Sequence, residues 1–446
     1  MTTKAAATQA RWQIRFISLW ISQAFSQIGS QISQFALIWW ITQTIGSATA
    51  LATASIMGLL PQVIIGPFAG VLVDRWNRKR VMIASDLISM ACVLVMAYLF
   101  ATGLPEMWHL YALMFVRSVC GAFQYPAMQA TTPLIVPEAQ LARVAGLNQM
   151  LQGGTNIVSP VISALLMTVL PLQSMLMIDV ATALPAVAVL LIFVIPQPKP
   201  NASQTGPVNL WHDMREGLRY MLGFRAFLII CAIAMVINFL MAPTWSLTPL
   251  LVTQHFRGQV TDMAAAESSF GMAIVIGGLL LGVWGGFKRR IVTSALGVAG
   301  LGLGAVLVGV APSHAFWLAL TGMFTMGFMN VFANGTLMAI MQKVIPNHLQ
   351  GRVMSLLGSA AALMTPLSLI LAGPISDRLG IQVWYIVGGA VCALMSLVIF
   401  LSPSVMRIEE RAQEAGLDAA AAHIFDTPVE PVAKAVPANT RVSTPS

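Results

Sequence analysis

Twelve uninterrupted apolar runs, each at least 20 residues long, constrain this 446-residue chain more than any other feature. They lie at about 14–41, 47–73, 81–102, 107–131, 144–170, 172–195, 226–251, 264–287, 291–311, 315–341, 353–375 and 381–402. A run of roughly 20 apolar residues is the length of a helix that crosses a bilayer. In hydrocarbon every backbone N–H and C=O must be bonded within the protein, so only helices and closed barrels span. A barrel would need short strands of alternating polarity, and these runs show none. The expected fold class is therefore all-α integral membrane, with twelve transmembrane helices. Composition agrees, because only 9% of residues are charged and 57% are apolar, whereas a soluble domain carries about 25% charged residues. Such a chain cannot solvate the surface of a soluble enzyme or nucleic-acid binder.

Charge placement sets the expected orientation. With both termini cytoplasmic, 21 of the 24 Lys and Arg residues fall on the inner side: around 4–15, 75–80, 143, 199–225, 288–290, 343–352 and in the tail. The outer loops hold only Arg257 and Arg378, and Arg117 lies inside a span. This asymmetry is the positive-inside signal of a multi-pass cell-membrane protein, and it accounts for the net charge of +8 without a nucleic-acid partner. The polar N-terminus runs into a stretch far longer than a signal-peptide core, so no cleaved leader is expected. Cys92, Cys120, Cys231 and Cys392 sit singly in apolar runs, a pattern that indicates neither disulfides nor a metal site. His109, His255 and His314 are likewise isolated, and no HExxH is present. No enzymatic site is expected.

The chain repeats itself. Val136-Pro137 through Arg143-Val144 to Leu147 aligns with Ile345-Pro346 through Arg352-Val353 to Leu356 at an offset of 209 residues. The copies follow spans four and ten, which divides the molecule into two six-helix bundles, 1–195 and 226–402. Between them, 196–225 reads as a cytoplasmic linker: a Pro-rich stretch, then an amphipathic helix with Leu210, Trp211, Met214 and Leu218 on one face. Residues 403–446 read as a mostly disordered cytoplasmic tail. Two halves with a site between them at the midplane form a transporter architecture.

Polar groups inside apolar helices mark candidate sites. Gln23, Gln27, Ser30 and Gln34 share a face of span one, and Gln149, Gln152, Asn156 and Ser163 one of span five. Arg117 and Gln124 do so in span four, Asn330 and Asn334 in span ten, and Asn238 lies in span seven. Stripes on separate helices predict a wet substrate cavity, and the 27 Met residues suit an adaptable apolar pocket. Spans nine and twelve lack such groups and are expected to face lipid. Asp86, Asp179 and Glu267 enter apolar runs. Burial favours the neutral form of a carboxyl group, as proton carriage requires. Asp86 and Asp179 sit at mirrored depths and serve equally well as structural partners of Arg or helix termini; Glu267 leans toward proton handling. Asp377-Arg378 ends span eleven on the outer side and is a candidate outer gate.

The loop after span two reads Gly70-Val-Leu-Val-Asp74-Arg75-Trp-Asn77-Arg78-Lys79-Arg80. It resembles the signature of the major facilitator superfamily, with Asn77 where that family has Gly. Asn tolerates a left-handed turn, so the turn is expected to persist. The resemblance implies a cytoplasmic gate: Gly70 permits close helix approach, and Asp74 with Arg75, Arg78, Lys79 and Arg80 supplies an ion-pair lock. Leu113-x-x-x-Arg117-x-x-x-Gly121 matches a second motif of the family, in which the intramembrane Arg is linked to proton coupling. Thr155-x-x-x-Ser159-Pro160-x-x-Ser163-Ala164 is similar to the exporter motif of span five, with small residues replacing its glycines. The order of segments, Gly46-Ser-Ala-Thr-Ala-Leu-Ala52, Gly66-Pro67, Phe115-Val-Arg-Ser118 with Pro126-Ala127, Thr132-Pro-Leu-Ile-Val-Pro-Glu138, Ile178-Asp179-Val180 and Gly277-Gly-Leu-Leu-Leu-Gly282, resembles macrolide efflux pumps of the drug:proton antiporter branch. That implies export of a bulky, largely apolar small molecule against protons, by alternating access and as a monomer. Siderophore or metabolite export, or import, are the alternatives within the fold. One charge moving across about 100 mV supplies about 2.3 kcal/mol, so the proton gradient suffices. No nucleotide loop of the G-x-x-x-x-G-K-S/T type is present, so neither ATP nor any other cofactor is expected.

Overall fold

The computed structural model describes residues 2–193, 225–345 and 347–408; the side chains at 2–11, 67, 71, 74, 75, 142, 225, 347, 348, 351 and 352 lie outside that description. The linker with its amphipathic helix and the tail beyond residue 408 therefore fall outside the described residues. Among the described residues, twelve long helices carry the fold. They are α1 (Thr2–Ile45), α2 (Ala48–Arg75), α3 (Arg78–Thr102), α4 (Met107–Ile135), α5 (Glu138–Met167), α6 (Leu172–Ile192), α7 (Arg225–Ser246), α8 (Val260–Trp284), α9 (Arg290–Val310), α10 (Phe316–Val344), α11 (Asn347–Leu379) and α12 (Gln382–Leu401). Among the described residues there is no strand. Ten of the helices are long and apolar enough to cross a membrane. The two others, α1 and α4, owe their lower hydropathy to Gln23, Gln27, Gln31 and Gln34 and to Arg117, Gln124 and Gln129. The chain is a multi-pass membrane protein.

Local chemistry explains the helix ends. Gly46, Gly103 and Gly285 adopt φ of +64°, +70° and +76° at helix C-termini, a left-handed geometry that glycine alone takes without a Cβ penalty. Ser47 accepts from Ala50 N at the start of α2, and Asn77 accepts from Arg80 N at 3.1 Å at the start of α3. Asn77 has φ −72° and ψ 105°, so the left-handed turn expected there does not form. Its side chain instead caps the next helix, which Asn does as well as any residue.

The repeat is visible in the backbone. Helix α4 ends at Ile135 and α10 at Val344, while α5 begins at Glu138 and α11 at Asn347, each pair 209 residues apart. The five most extensive packing pairs of the first bundle recur in the second with six added to each label: α1–α6, α2–α4, α3–α4, α3–α6 and α1–α5 become α7–α12, α8–α10, α9–α10, α9–α12 and α7–α11. The halves meet along α2–α11 and α5–α8, which the same operation exchanges.

Two expectations change. Helix α9 is enclosed rather than lipid-facing. A Cβ on Gly297 would strike the Ala333 backbone at 2.3 Å and one on Gly302 the Gly389 carbonyl at 2.5 Å, so its small residues bring α10 and α12 against it. Beyond Arg290 at its start, only Leu296, Leu303 and Val310, spaced seven residues apart, are exposed. The tail also begins later than expected: residues Pro403–Met406 form a helical turn that packs against α7, α9 and α12, and Val405 and Ile408 are buried.

Candidate functional site

Helix α1 carries the polar stripe that organises the first bundle. Its Ser30 Oγ donates to Asp179 Oδ1 of α6 at 2.8 Å, and Arg117 Nη2 of α4 donates to Asp179 Oδ2 at 2.7 Å. The Arg and Asp side chains are 13% and 4% exposed. Close approach of α1 and α6 makes this possible: a Cβ on Gly29 would overlap Thr182 Oγ1, so only glycine fits beside Ser30. Ser118 Oγ donates to the Gly58 carbonyl at 2.7 Å and ties α4 to α2. A desolvated carboxylate thus receives one guanidinium and one hydroxyl, the satisfaction that buried charge requires.

About two helical turns from that pair along α1 and α4 lies a second buried carboxyl group. Asp86 of α3 is 6% exposed. Gln124 Nε2 donates to its Oδ1, and Gln23 Nε2 reaches its Oδ2 at 3.5 Å. No basic side chain among the described residues bonds to it. Glu267 of α8 is partly buried and has no hydrogen bond or ion pair among the described residues.

These groups line three adjoining chambers. The first, of 460 Å³, belongs to the N-terminal bundle, with Gln23, Gln27, Asp86, Gln124, Gln152 and Asp179 on its walls. The second, of 520 Å³, is shared by both bundles and brings Gln34, Arg117 and Gln124 together with Glu267. The third, of 290 Å³, is walled by the C-terminal bundle and Leu59 of α2 and holds Asn238, Asn330 and Asn334 in a mostly apolar wall. Asn156 lines none of them; it sits where α5 meets α8, opposite Gly271. Sequence reasoning missed Trp20, Gln62 and Asn148 in these walls, along with Gln31 and Trp245. Gln62 had a usable signal, a lone amide following Pro61 in an apolar span. Trp245 had none, because a tryptophan in such a helix reads as membrane-interface filler.

The two ends of the bundle pair differ. At the end holding residues 46–47, Asp377 of α11 reaches across to α2. It accepts from Ala48 N at 2.7 Å, Thr49 N at 3.2 Å, Thr49 Oγ1 at 2.6 Å and Ser47 Oγ at 3.2 Å. A helix start leaves its first N–H groups without partners, and a carboxylate from the opposite bundle supplies them here. Gln254 adds a bond to the Gly46 carbonyl at 2.5 Å, and a Cβ on Gly373 would sit 2.7 Å from Thr49 Cα. Arg378 is exposed and takes no part in these bonds.

At the end holding residues 76–77 the hydrogen bonds described for Arg78 and Lys79 lie on the side of the N-terminal bundle. Arg78 donates to the Ala130 carbonyl at 2.6 Å. Lys79 donates to the Leu191 and Phe193 carbonyls at 3.0 and 3.1 Å. These bonds reach carbonyls near the C-terminal ends of α4 and α6. Arg80 is exposed, and the side chains of Asp74 and Arg75 lie outside the described residues. Nothing lies within 4 Å of a Cβ built on Gly66, Gly70, Gly146, Gly153, Gly154 or Gly358. The close approach expected of Gly70 is not made in this conformation. Among the described residues the pair is latched at the 46–47 end and parted beside these glycines.

Comparison with known proteins gives concordant results. The model of the Major Facilitator Superfamily matches residues 19–369. Macrolide efflux protein A of Streptococcus pyogenes is 35% identical over 388 residues, covering 87% of this chain and 95% of that one. Multidrug efflux pump Tap of Mycolicibacterium fortuitum is 26% identical over 395 residues, covering 85% and 94%. Among solved structures, a mutant form of the nucleoside transporter NupG superposes with a TM-score of 0.68 at 13% identity, covering 87% of this chain and 99% of that one.

Proposed function

Because the chain belongs to the major facilitator superfamily, a family of membrane transporters, we propose that it exports drugs of the macrolide class in exchange for protons. The observation that carries this reading is the chamber shared by the two bundles, latched at the 46–47 end and parted at the 76–77 end. Alternating access needs such a site and two ends that close in turn. The likeness to named macrolide and multidrug efflux proteins supports the substrate class. Charge asymmetry supports a cytoplasmic 76–77 end with both termini inside; the conformation then faces inward, ready to load substrate from the cell. The cavity is complete within one chain, which supports a monomeric working unit.

In this reading Asp377 is the outer gate, and Asp74 with its basic neighbours is the inner one. Arg117 is the fixed positive partner of Asp179, 2.7 Å away. Glu267, unpartnered in the shared chamber, carries the proton. Its neutral form suits the closed, desolvated site and its charged form the wet one. Expression in an efflux-deficient bacterial host tests the export reading. Macrolide susceptibility should fall several-fold, and dissipating the proton gradient should restore drug accumulation. Unchanged susceptibility across macrolides at normal expression would contradict the reading.

A further inference from the structure

The walls of the cavity are chemically polarised, and the polarity names a ligand. Arg117 is the only basic side chain among the described residues lining the three chambers, and Asp179 already pairs with it. Of the two carboxyl groups left, Glu267 is assigned the proton, and Asp86 is buried and held by amide donors alone. One of its oxygens, Oδ2, has only a long 3.5 Å contact from Gln23. The same two glutamines carry carbonyl oxygens, so the group around Asp86 accepts hydrogen bonds as readily as it donates them. Trp20 and Tyr125 line the same chamber, and the Trp20 ring is fixed by its bond to Asn148 Oδ1 at 2.8 Å. Indole and phenol faces attract cations. At the far side the C-terminal chamber presents Ile233, Ile237, Met241, Val298 and Leu301, a wall for an apolar body.

We propose that Asp86 is the subsite for a protonated amine on the exported compound, whose apolar body lies toward the C-terminal bundle. The ligand class is a bulky amphiphile with one aliphatic ammonium group. Oδ2 takes the N–H of the ammonium, the Gln23 amide turns its carbonyl toward the cation, and Trp20 and Tyr125 screen it from water. An uncharged analogue leaves Asp86 with its amide donors and gains none of this. The subsite rests on the export reading but makes a separate demand, a preference for charge at one end of the ligand.

The test uses purified full-length protein in detergent at neutral pH, with radiolabelled erythromycin, which carries a protonated dimethylamino group. Unlabelled erythromycin and its uncharged N-oxide compete for binding. The wild type should prefer the amine by about tenfold or more, the worth of one charge-assisted hydrogen bond. Asp86→Asn should reduce that preference to under about twofold, and Asp86→Glu should keep most of it. Equal binding of both compounds by the wild type overturns the subsite while leaving export intact, and that result requires no variant to fold. A preference unchanged in Asp86→Asn overturns it as well. Absence of any erythromycin binding by the wild type removes the macrolide reading and the subsite with it.

Discussion

At the scale of single residues, the Arg117–Asp179 pair raises the question of scaffold or mechanism. The two groups are 13% and 4% exposed and 2.7 Å apart. Removing one partner strands a buried charge, at a cost of about 3–5 kcal/mol. Replacing both with apolar residues of similar size is often neutral or stabilising. Arg117→Met alone should therefore lower thermal stability in detergent markedly, and Arg117→Met with Asp179→Leu should recover most of it. If the pair also serves coupling, the double variant will be stable and still fail at uphill export. A stable double variant with wild-type export would make the pair purely structural. Both charges were visible in the sequence as groups intruding on apolar runs, but their partnership was not. A depth argument could have found it. Arg117 lies ten residues into α4 and Asp179 seven into α6, about 15 and 11 Å at 1.5 Å per residue, in helices entering from the same side. Asp86 enters from the opposite side, and its glutamine partners on α1 and α4 were legible only as stripes.

At the scale of elements, α2 and α11 form an antiparallel pair with the same device at each C-terminus: Gly70 to Asp74-Arg75 on α2 and Gly373 to Asp377-Arg378 on α11. A carboxylate at a helix C-terminus opposes the helix dipole; Asp377 is tolerated because the start of α2 lies against it. An acceptor at a helix start is worth about 1 kcal/mol, several-fold in a conformational ratio. Asp377→Ala should therefore shift the population toward conformers open at the 46–47 end. The readout is thiol labelling of Ser55→Cys, which faces the shared chamber, from outside in a background lacking native Cys. Its rate should rise several-fold, and an unchanged rate would leave Asp377 without a gating part. Helix identity and order were read correctly because long apolar runs leave few alternatives. The surroundings of α9 were misread because a helix rich in Gly and Ala looks the same to lipid and to a close-packed neighbour. Only contacts such as Gly302 against Gly389 tell these apart.

At the scale of the whole molecule, the 209-residue repeat made the two-bundle architecture legible, since each half is one copy of the same packing scheme. The latched and parted ends were not legible, because a sequence encodes both conformations of an alternating-access cycle at once. Orientation is checked by Leu104→Cys and Ser313→Cys, which should label from outside with an impermeant reagent, and by Asn77→Cys and Gln204→Cys, which should not. Inside labelling at 104 would exchange the two gates. The central claim is that drug binding in the shared chamber displaces a proton from Glu267, and proton release from reconstituted protein on macrolide addition measures it most directly. The account predicts release by the wild type and none by Glu267→Gln, with drug still bound by that variant. Release by Glu267→Gln equal to wild type, or none by a wild type that transports drug, would contradict it.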